Sequence, residues 1–337
     1  MQVVLKKEAK SVEVMDSKGE LMRYEIEYRH DPLTSHVAVV CSHLKDKWKG
    51  FYSSRDEEWL KNTIENAKKN CPFCPATIDK IVARFPHACM REEVLRTGDI
   101  YVFPNLFPRT AFEAVVTSSK MHTLNLKEIT KERLYDFLRA SVECITGAYQ
   151  CNKKLLYPVI GCNYMPPAGA SLVHFHMQIT MQEFPFEKLR HLMEHKPGDF
   201  WDDFIKANAD REIAQKENIY WYTPFAPEGF SEVRALIKRT SFMEFTTEDL
   251  QDISGGMANV LHYYYDEGFS SFNIILYSGA FGSKDKSYSS GLQIIARPNL
   301  RMNYTSIDSW YMPLLLGQTI VLESPEEVAT ELRRYFQ

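Results

Sequence analysis

The order strand, helix, strand, turn, strand occurs twice along this chain, and this repetition limits the possible folds more than any other feature. In the first copy the segments are a strand at 112–117, a helix at about 131–152, a strand from Tyr157, a proline- and glycine-containing turn, and a strand through His174. In the second copy they are a strand at 233–238, a helix at about 247–267, a strand at 271–277, a Gly/Ser loop, and a strand at 292–297. Because a short loop joins the last two strands of each copy, we expect mostly antiparallel pairing. The pattern predicts an α+β fold with an internal duplication, in which each unit is a mostly antiparallel sheet with helices.

The two units are predicted to cover residues 1–182 and 183–337. Between the repeated segments, 183–218 is charged and aromatic and contains a Lys-Pro-Gly turn, which is typical of a helical connector. The competing interpretation is two unrelated segments that share a common pattern.

Composition excludes several classes of protein. A length of 337 residues, with 45% hydrophobic and 25% charged residues, is typical of a globular chain long enough for two domains. The formal net charge of −4 comes from charges spread along the chain, so we expect no nucleic-acid partner. No apolar run approaches the roughly 20 residues that span a bilayer, and the first residues lack the apolar stretch of a signal peptide. The expectation is a cytoplasmic protein that does not enter a membrane.

Cys71 and Cys74 differ from the other five cysteines, which lie in mainly apolar or helical contexts and are expected to be reduced thiols. Their C-x-x-C spacing is typical of a metal knuckle, in which a tight turn directs two thiolates at one cation. A thioredoxin-like redox pair is the competing function, but such a pair normally follows a core strand, whereas this one follows a charged helical stretch at 56–69. Zinc requires two more ligands. His122 and His174 are the first candidates, and spacing alone leaves His43 and His87 open.

The stretch His174-Phe-His176-Met-Gln178 follows a small-residue turn at 166–171. Alternate side chains of an extended segment share a face, so the two imidazoles and the amide would project together. A single histidine on an apolar strand is usually a core residue, but two histidines and a glutamine in alternation favour phosphate or metal chemistry. The second copy has no histidine after His262, so it is expected to serve as scaffold or substrate wall.

The Cys71/Cys74 pair, the distant His122 and the His-x-His-x-Gln strand together resemble the galactose-1-phosphate uridylyltransferase family, a branch of the histidine-triad superfamily. Other segments also resemble that family: Arg-His-Asp-Pro-Leu-Thr at 29–34, the loop at 102–108, Asn163, and the aromatic and proline segment at 221–238. The resemblance covers nearly the whole chain and implies two histidine-triad-like units.

The resemblance also implies a role for each matching residue. His176 would be the nucleophile, and Gln178 a phosphate ligand. Structural zinc would be held by Cys71, Cys74, His122 and His174. The substrate would be contacted by Asn163 and Ser171 at the phosphates, Asn105 at the nucleoside, and Lys47 and Gln318. A homodimer is implied as well, because sites in this family are commonly completed by a neighbouring subunit.

The implied chemistry is physically reasonable. A neutral imidazole can attack the α-phosphorus of a nucleoside diphosphate sugar and form a covalent nucleotidyl-histidine. The leaving sugar phosphate has a second pKa near 6, so it departs without a strong general acid. Gln178 and backbone amides of the turn at 169–171 are expected to donate hydrogen bonds to the phosphoryl oxygens.

The chain departs from the family at the sugar-phosphate contacts. Leu44 and Lys47 stand where two arginines are usual, and the segment 309–314 contains no acidic residue for sugar hydroxyls. The histidine pair that some members use for a second metal is also absent. Three hypotheses remain: a UDP-glucose–hexose-1-phosphate uridylyltransferase of galactose metabolism, a nucleoside diphosphate sugar (ADP-glucose-like) or dinucleoside polyphosphate phosphorylase using inorganic phosphate, and a non-catalytic zinc-stabilised nucleotide-binding protein.

Overall fold

The computed structural model describes residues 3–34, 36–46, 55–87, 90, 92–122, 125–192, 196, 199–283, 290–299 and 308–337. The strands of the described residues are β1 (Lys6–Met15), β2 (Leu21–His30), β3 (Val37–Val40), β4 (Leu95–Thr97), β5 (Ile100–Pro104), β6 (Phe112–Ser118), β7 (Tyr157–Tyr164), β8 (His176–Gln182), β9 (Glu212–Gln215), β10 (Ile219–Tyr222), β11 (Phe230–Ile237), β12 (Ser271–Tyr277), β13 (Ser290–Arg297) and β14 (Thr319–Val321). The helices are α1 (Glu57–Lys68), α2 (Ile78–Ile81), α3 (Lys131–Cys151), α4 (Glu187–Leu192), α5 (Phe200–Ala207), α6 (Thr247–Asp266), α7 (Tyr311–Leu316) and α8 (Pro325–Leu332).

The main sheet has ten strands in the order β4-β5-β6-β8-β7-β12-β13-β11-β10-β9. Neighbouring strands in this sheet pair antiparallel, as predicted. The order is symmetric about its centre, where β7 pairs with its counterpart β12. From there outward, β8, β6, β5 and β4 of the first copy correspond to β13, β11, β10 and β9 of the second. The predicted duplication and the α+β class are confirmed. Both copies share one continuous sheet, and the boundary at residue 182 stays a prediction.

The core lies on the sheet face covered by α3 and α6. Both helices start at a threonine whose side chain accepts a backbone N–H, Thr130 for α3 and Thr246 for α6. Their apolar stripes pack against each other and against alternate residues of the central strands in one cluster. The fit is close at Gly256 of α6, where an added Cβ would lie 2.1 Å from Cζ2 of the buried Trp221. The opposite face of the sheet is therefore the one available for chemistry.

A second, four-stranded sheet has the order β1-β2-β3-β14, with β14 parallel to β3. It contains the start of the segment at 29–34, which was singled out in the sequence for its resemblance to a family motif. Arg29 is 4% exposed and pairs with Glu326 of α8 at 2.8 Å, and Asp31 pairs with Arg234 of β11 at 3.2 Å. These buried pairs join the N-terminal segment to the second unit, which gives the signature residues a structural role.

The connector between the units is only partly helical. It contains α4 and α5, but 212–215 forms the edge strand β9 of the main sheet. Among the described helices, none combines the length and the apolar character that crossing a bilayer requires.

Candidate functional site

Four of the described Cys and His side chains form one compact cluster. Ligand atoms of Cys71, Cys74, His122 and His174 all lie within 4.8 Å of one another. Sγ of Cys71 is 3.2 Å from Nδ1 of His174, and Sγ of Cys74 is 3.3 Å from Nδ1 of His122. Two thiols and two imidazoles at these separations can hold one tetrahedral metal ion, because metal bonds of about 2.0–2.3 Å place such ligands a few ångströms apart.

Backbone carbonyls orient both imidazoles of the cluster. Nε2 of His174 lies 2.9 Å from the carbonyl oxygen of Ser118, and Nε2 of His122 lies 3.3 Å from that of Ile64. A neutral imidazole that donates through Nε2 keeps its lone pair on Nδ1, so both rings direct Nδ1 into the cluster. Burial lowers the pKa of His174 to about 4 and thereby favours this neutral form.

The thiols are held by a turn that Thr77 stabilises. The Thr77 hydroxyl donates to the carbonyl oxygens of Cys71 and Cys74, at 2.6 and 3.0 Å. Burial, together with the neighbouring Cys71, raises the pKa of the Cys74 thiol to about 11. A cation would reverse this effect, because metal-bound cysteine is a thiolate.

The two alternative ligands lie elsewhere. The ring of His43 packs against Tyr24 at 4.6 Å, and His87 pairs with Glu93 at 2.9 Å. The sequence left four histidines open as ligands, and the structure brings only His122 and His174 to the thiols.

His176 is buried beside this cluster. Its ring lies 5.6 Å from the ring of Phe73, as does the ring of His174, so both imidazoles are on the same side of the segment. Strand β8 begins only at His176, two residues later than expected. The Phe175 amide donates to the carbonyl oxygen of His122 and not to a neighbouring strand. Nδ1 of His176 lies 2.7 Å from the carbonyl oxygen of His174 and donates to it, which leaves the lone pair on Nε2. Burial lowers the pKa of His176, so the ring is neutral at pH 7.

Gln178 and Asn163 share the sheet face of His176. Gln178 pairs with Gly161 of the adjacent β7, and the alternation of side chains then puts His176 and Asn163 on the same face. Gln178 is half-buried and Asn163 is exposed. Because adjacent strands are about 4.8 Å apart, the three predicted contact residues border one patch of surface.

The turn between β7 and β8 uses its own backbone donors. The amides of Gly169 and Ala170 donate to the carbonyl oxygens of Pro166 and Met165, at 2.9 and 3.3 Å. Gly169 has a positive φ of 83°, which favours glycine there. The prediction that these amides bind phosphate is therefore wrong for Gly169 and Ala170. Ser171 follows them and is exposed.

Asn105 shapes the loop after β5. Its Nδ2 donates to Glu113 at 3.1 Å, and its Oδ1 accepts the Phe107 amide at 3.0 Å. The loop thereby presents Leu106 and Phe107, which are 67% and 79% exposed. These two apolar side chains, with the exposed Pro108, lie on the surface of the predicted nucleoside loop.

A cavity of about 340 Å³ lies on the same face toward the second unit, and its lining includes Leu44, Glu228, Asn273, Arg297, Asp308 and Trp310. Leu44 gives it an apolar side chain at a position where the resemblance implies an arginine. Lys47 lies outside the described residues. Gln318 is half-buried and precedes Thr319, which lines the cavity.

Sequence reasoning missed the polar residues of the second unit that reach this face. Glu228 and Asp308 supply carboxylates to the cavity although the segment 309–314 has none. Burial would raise the pKa of Glu228, but the nearby Arg234 and Lys188 lower it to about 2. Asn273 accepts a hydrogen bond from Arg297 and donates one to Asn163. No local signal in the sequence marks these residues, because the strand register that brings them together depends on the packing of the whole core.

The sequence comparison finds a relative over nearly the whole chain. A protein of Archaeoglobus fulgidus described as uncharacterized is 25% identical over 329 residues, which cover 94% of each chain. No protein-family profile matches the chain.

Solved structures share the fold. A GalT-like protein and an ADP-glucose phosphorylase with bound ADP-glucose, both from Arabidopsis thaliana, each superpose with a TM-score of 0.66 at 18% identity, over 91% of this chain and 98% of theirs. A uridylyltransferase superposes with a TM-score of 0.61 at 16% identity, over 80% of this chain and 90% of its own. The resemblance stated from the sequence is thus confirmed at the level of the fold.

Proposed function

We propose that this protein is a nucleotidyltransferase that acts on a nucleoside diphosphate sugar through a covalent nucleotidyl-His176. One observation carries the proposal: the Nδ1–H of His176 is held by the His174 carbonyl, so the Nε2 lone pair belongs to a buried, neutral imidazole. The ring adjoins the face that presents Gln178 and Asn163. The shared fold with an ADP-glucose phosphorylase and a uridylyltransferase supports the same chemistry.

The reaction proceeds in two displacements. Nε2 of His176 attacks the α-phosphorus, the P–O bond to the sugar phosphate breaks, and its electron pair leaves on the sugar phosphate. An oxygen of the acceptor phosphate then attacks the same phosphorus, and the electron pair of the P–N bond returns to Nε2. Throughout both steps the Nδ1–H stays on the His174 carbonyl and disperses the positive charge of the ring. Gln178, Asn163 and Ser171 donate hydrogen bonds to the phosphoryl oxygens.

The ion of the Cys/His cluster is proposed to be zinc. Two thiolates and two imidazoles without an open position are the ligands of structural zinc sites. The four side chains would fill all four positions of a tetrahedral ion, so the ion would stabilise the fold and not contact substrate. Through His174, it would fix the carbonyl that orients His176.

The acceptor is proposed to be a hexose 1-phosphate, with a UDP-hexose as donor. Inorganic phosphate is the second candidate, with an ADP-glucose-like donor, and Leu44 favours it. Leu44 replaces a cationic side chain that would contact a sugar phosphate in the cavity. Inorganic phosphate is smaller and needs fewer contacts there.

Acceptor competition tests these two candidates. The protein is incubated with UDP-glucose or ADP-glucose and either labelled galactose 1-phosphate or inorganic phosphate. The acceptor sugar must differ from the leaving one, because labelled glucose 1-phosphate would exchange back in either case. A labelled nucleoside diphosphate galactose is the expected product of the first candidate, and phosphate-dependent release of a nucleoside diphosphate is that of the second. If neither product forms and no nucleotide becomes attached to the protein, only the hypothesis of a non-catalytic nucleotide-binding protein remains.

A homodimer is also proposed, with α7 in the interface. Leu314, Leu315 and Leu316 are 66–75% exposed, which is unusual for consecutive leucines of a globular chain. Sedimentation equilibrium is expected to give twice the chain mass of 39.2 kDa, and Leu315→Glu is expected to give the monomer mass. Ile81→Glu, at another exposed apolar residue, is the control and should leave the dimer intact. A wild-type monomer at micromolar concentration would contradict this assignment.

A further inference from the structure

We propose that Asn273 of the second unit is a positioning residue for nucleotidyl transfer: it sets the orientation of the Asn163 amide and holds the turn that precedes the histidine strand. This inference rests on the proposed function, since it concerns how the phosphate ligands are presented to the substrate. It assigns a part in the chemistry to the copy that lacks catalytic histidines.

The register of the two central strands brings the residues together. Asn273 of β12 lies opposite Asn163 of β7, and both point to the face of His176. Nδ2 of Asn273 donates to Oδ1 of Asn163 at 2.7 Å and to the carbonyl oxygen of Ala168 at 2.9 Å. Its Oδ1 accepts from Nη1 of Arg297 at 2.7 Å. Both amide hydrogens and the carbonyl oxygen of Asn273 therefore have partners.

Arginine determines which way each amide faces. A guanidinium can only donate, so the Asn273 oxygen must face Arg297 and its nitrogen must face Asn163. The Asn163 oxygen must then accept from Asn273, and the Asn163 Nδ2 is the group that can donate to a ligand. An Asn163 amide in the opposite orientation would direct an oxygen at the phosphates, which repels them. The assignment follows from this donor chemistry and not from the placement of amide atoms alone.

The second bond of Asn273 holds the turn. Ala168 lies between Met165 and Gly169, which have positive φ angles of 69° and 83°. A methionine in this region is strained, so the turn depends on contacts that fix it from outside. Asn273 supplies such a contact at the Ala168 carbonyl, and Ser171 and His174 follow directly along the chain. Arg297 is itself held by Asp308 at 2.9 Å.

The test is Asn273→Asp, which keeps the size of the side chain and the contact to Arg297 but removes both donated hydrogens. We expect the single-turnover rate of nucleotidyl-His176 formation from UDP-glucose or ADP-glucose to fall about 10- to 100-fold, the range found when a group that orients a ligand is lost. The melting temperature and the metal content should stay near wild type. Asn273→Ala is the second variant, should the aspartate disturb the fold.

A double variant separates positioning from a general structural effect. In an Asn163→Ala background, Asn273→Asp should cost less than it does alone, because the amide it orients is already missing and only the contact to the Ala168 carbonyl is left to lose. The control is Asn208→Asp, the same change at an amide away from the site, whose partners are likewise a carbonyl, that of Phe204, and an arginine, Arg211. Its adduct rate should equal that of wild type.

Two results would overturn the inference while the proposed function stands: adduct formation at the wild-type rate in both Asn273 variants, or equal losses with and without Asn163. No adduct in the wild-type protein would instead overturn the proposed function, and the inference with it. Calorimetry with UMP and AMP gives a readout without turnover, in which Asn273→Asp should weaken nucleotide binding and Asn208→Asp should not.

Discussion

His176→Asn is expected to abolish the covalent nucleotidyl adduct and to reduce turnover by about 10⁴-fold or more, the scale on which loss of a covalent nucleophile acts. The asparagine amide has no lone pair on nitrogen that can attack phosphorus. It is also smaller than the ring it replaces, and it can still donate to the His174 carbonyl. The fold and the neighbouring Cys/His cluster should therefore survive the change.

The measurement is protein-bound label after incubation with nucleotide sugar labelled at the α-phosphorus. The bond should be labile in acid and stable in alkali, as a phosphoramidate is. His87→Asn is the matched control, because His87 is an exposed histidine whose partner is Glu93. Label retained by His176→Asn, or lost equally in His87→Asn, would show that His176 is not the nucleophile.

Cys71→Ser is expected to reduce the metal content from one ion per chain toward zero and to lower the free energy of unfolding by several kcal/mol. A serine hydroxyl does not ionise at neutral pH, so the site loses a charged ligand, and binding energy at a structural site is folding energy. The cluster also joins three distant segments: the turn at 71–74, the end of β6 through His122, and the start of β8 through His174. Without the ion, the histidine segment should lose its fixed geometry.

Metal analysis and thermal unfolding test this prediction together. Cys151→Ser makes the same chemical change at an exposed position at the end of α3 and should leave metal content and melting temperature unchanged. Treatment of the wild-type protein with a strong chelator should reproduce the destabilisation. Unchanged metal content in Cys71→Ser would disprove the ligand set.

Much of the fold could be predicted from the sequence. Strand β12 was predicted with its observed bounds, and α3 and α6 to within one residue at their ends, because capping residues and apolar periodicity are local signals. The four-stranded sheet was not predicted. Its strand β1 is almost wholly exposed, and the alternation of Tyr24, Ile26 and Tyr28 with charged residues in the half-buried β2 was a strand signal that the prediction missed. Edge strand β9, with four residues, is too short to be recognised within a charged connector.

The sequence by itself determined the local chemistry: the spacing of Cys71 and Cys74, the alternation of His174, His176 and Gln178, and the duplicated order of elements. Only the tertiary structure decided which histidines join Cys71 and Cys74 in the Cys/His cluster and which residues of the second unit reach the sheet face of His176. The bond from Asn273 to Asn163 joins residues 110 positions apart. It depends on the pairing register of β7 with β12, and a shift by one residue would move Asn273 to the other face of the sheet. Register follows from the packing of the whole core against α3 and α6, so no local pattern can specify it.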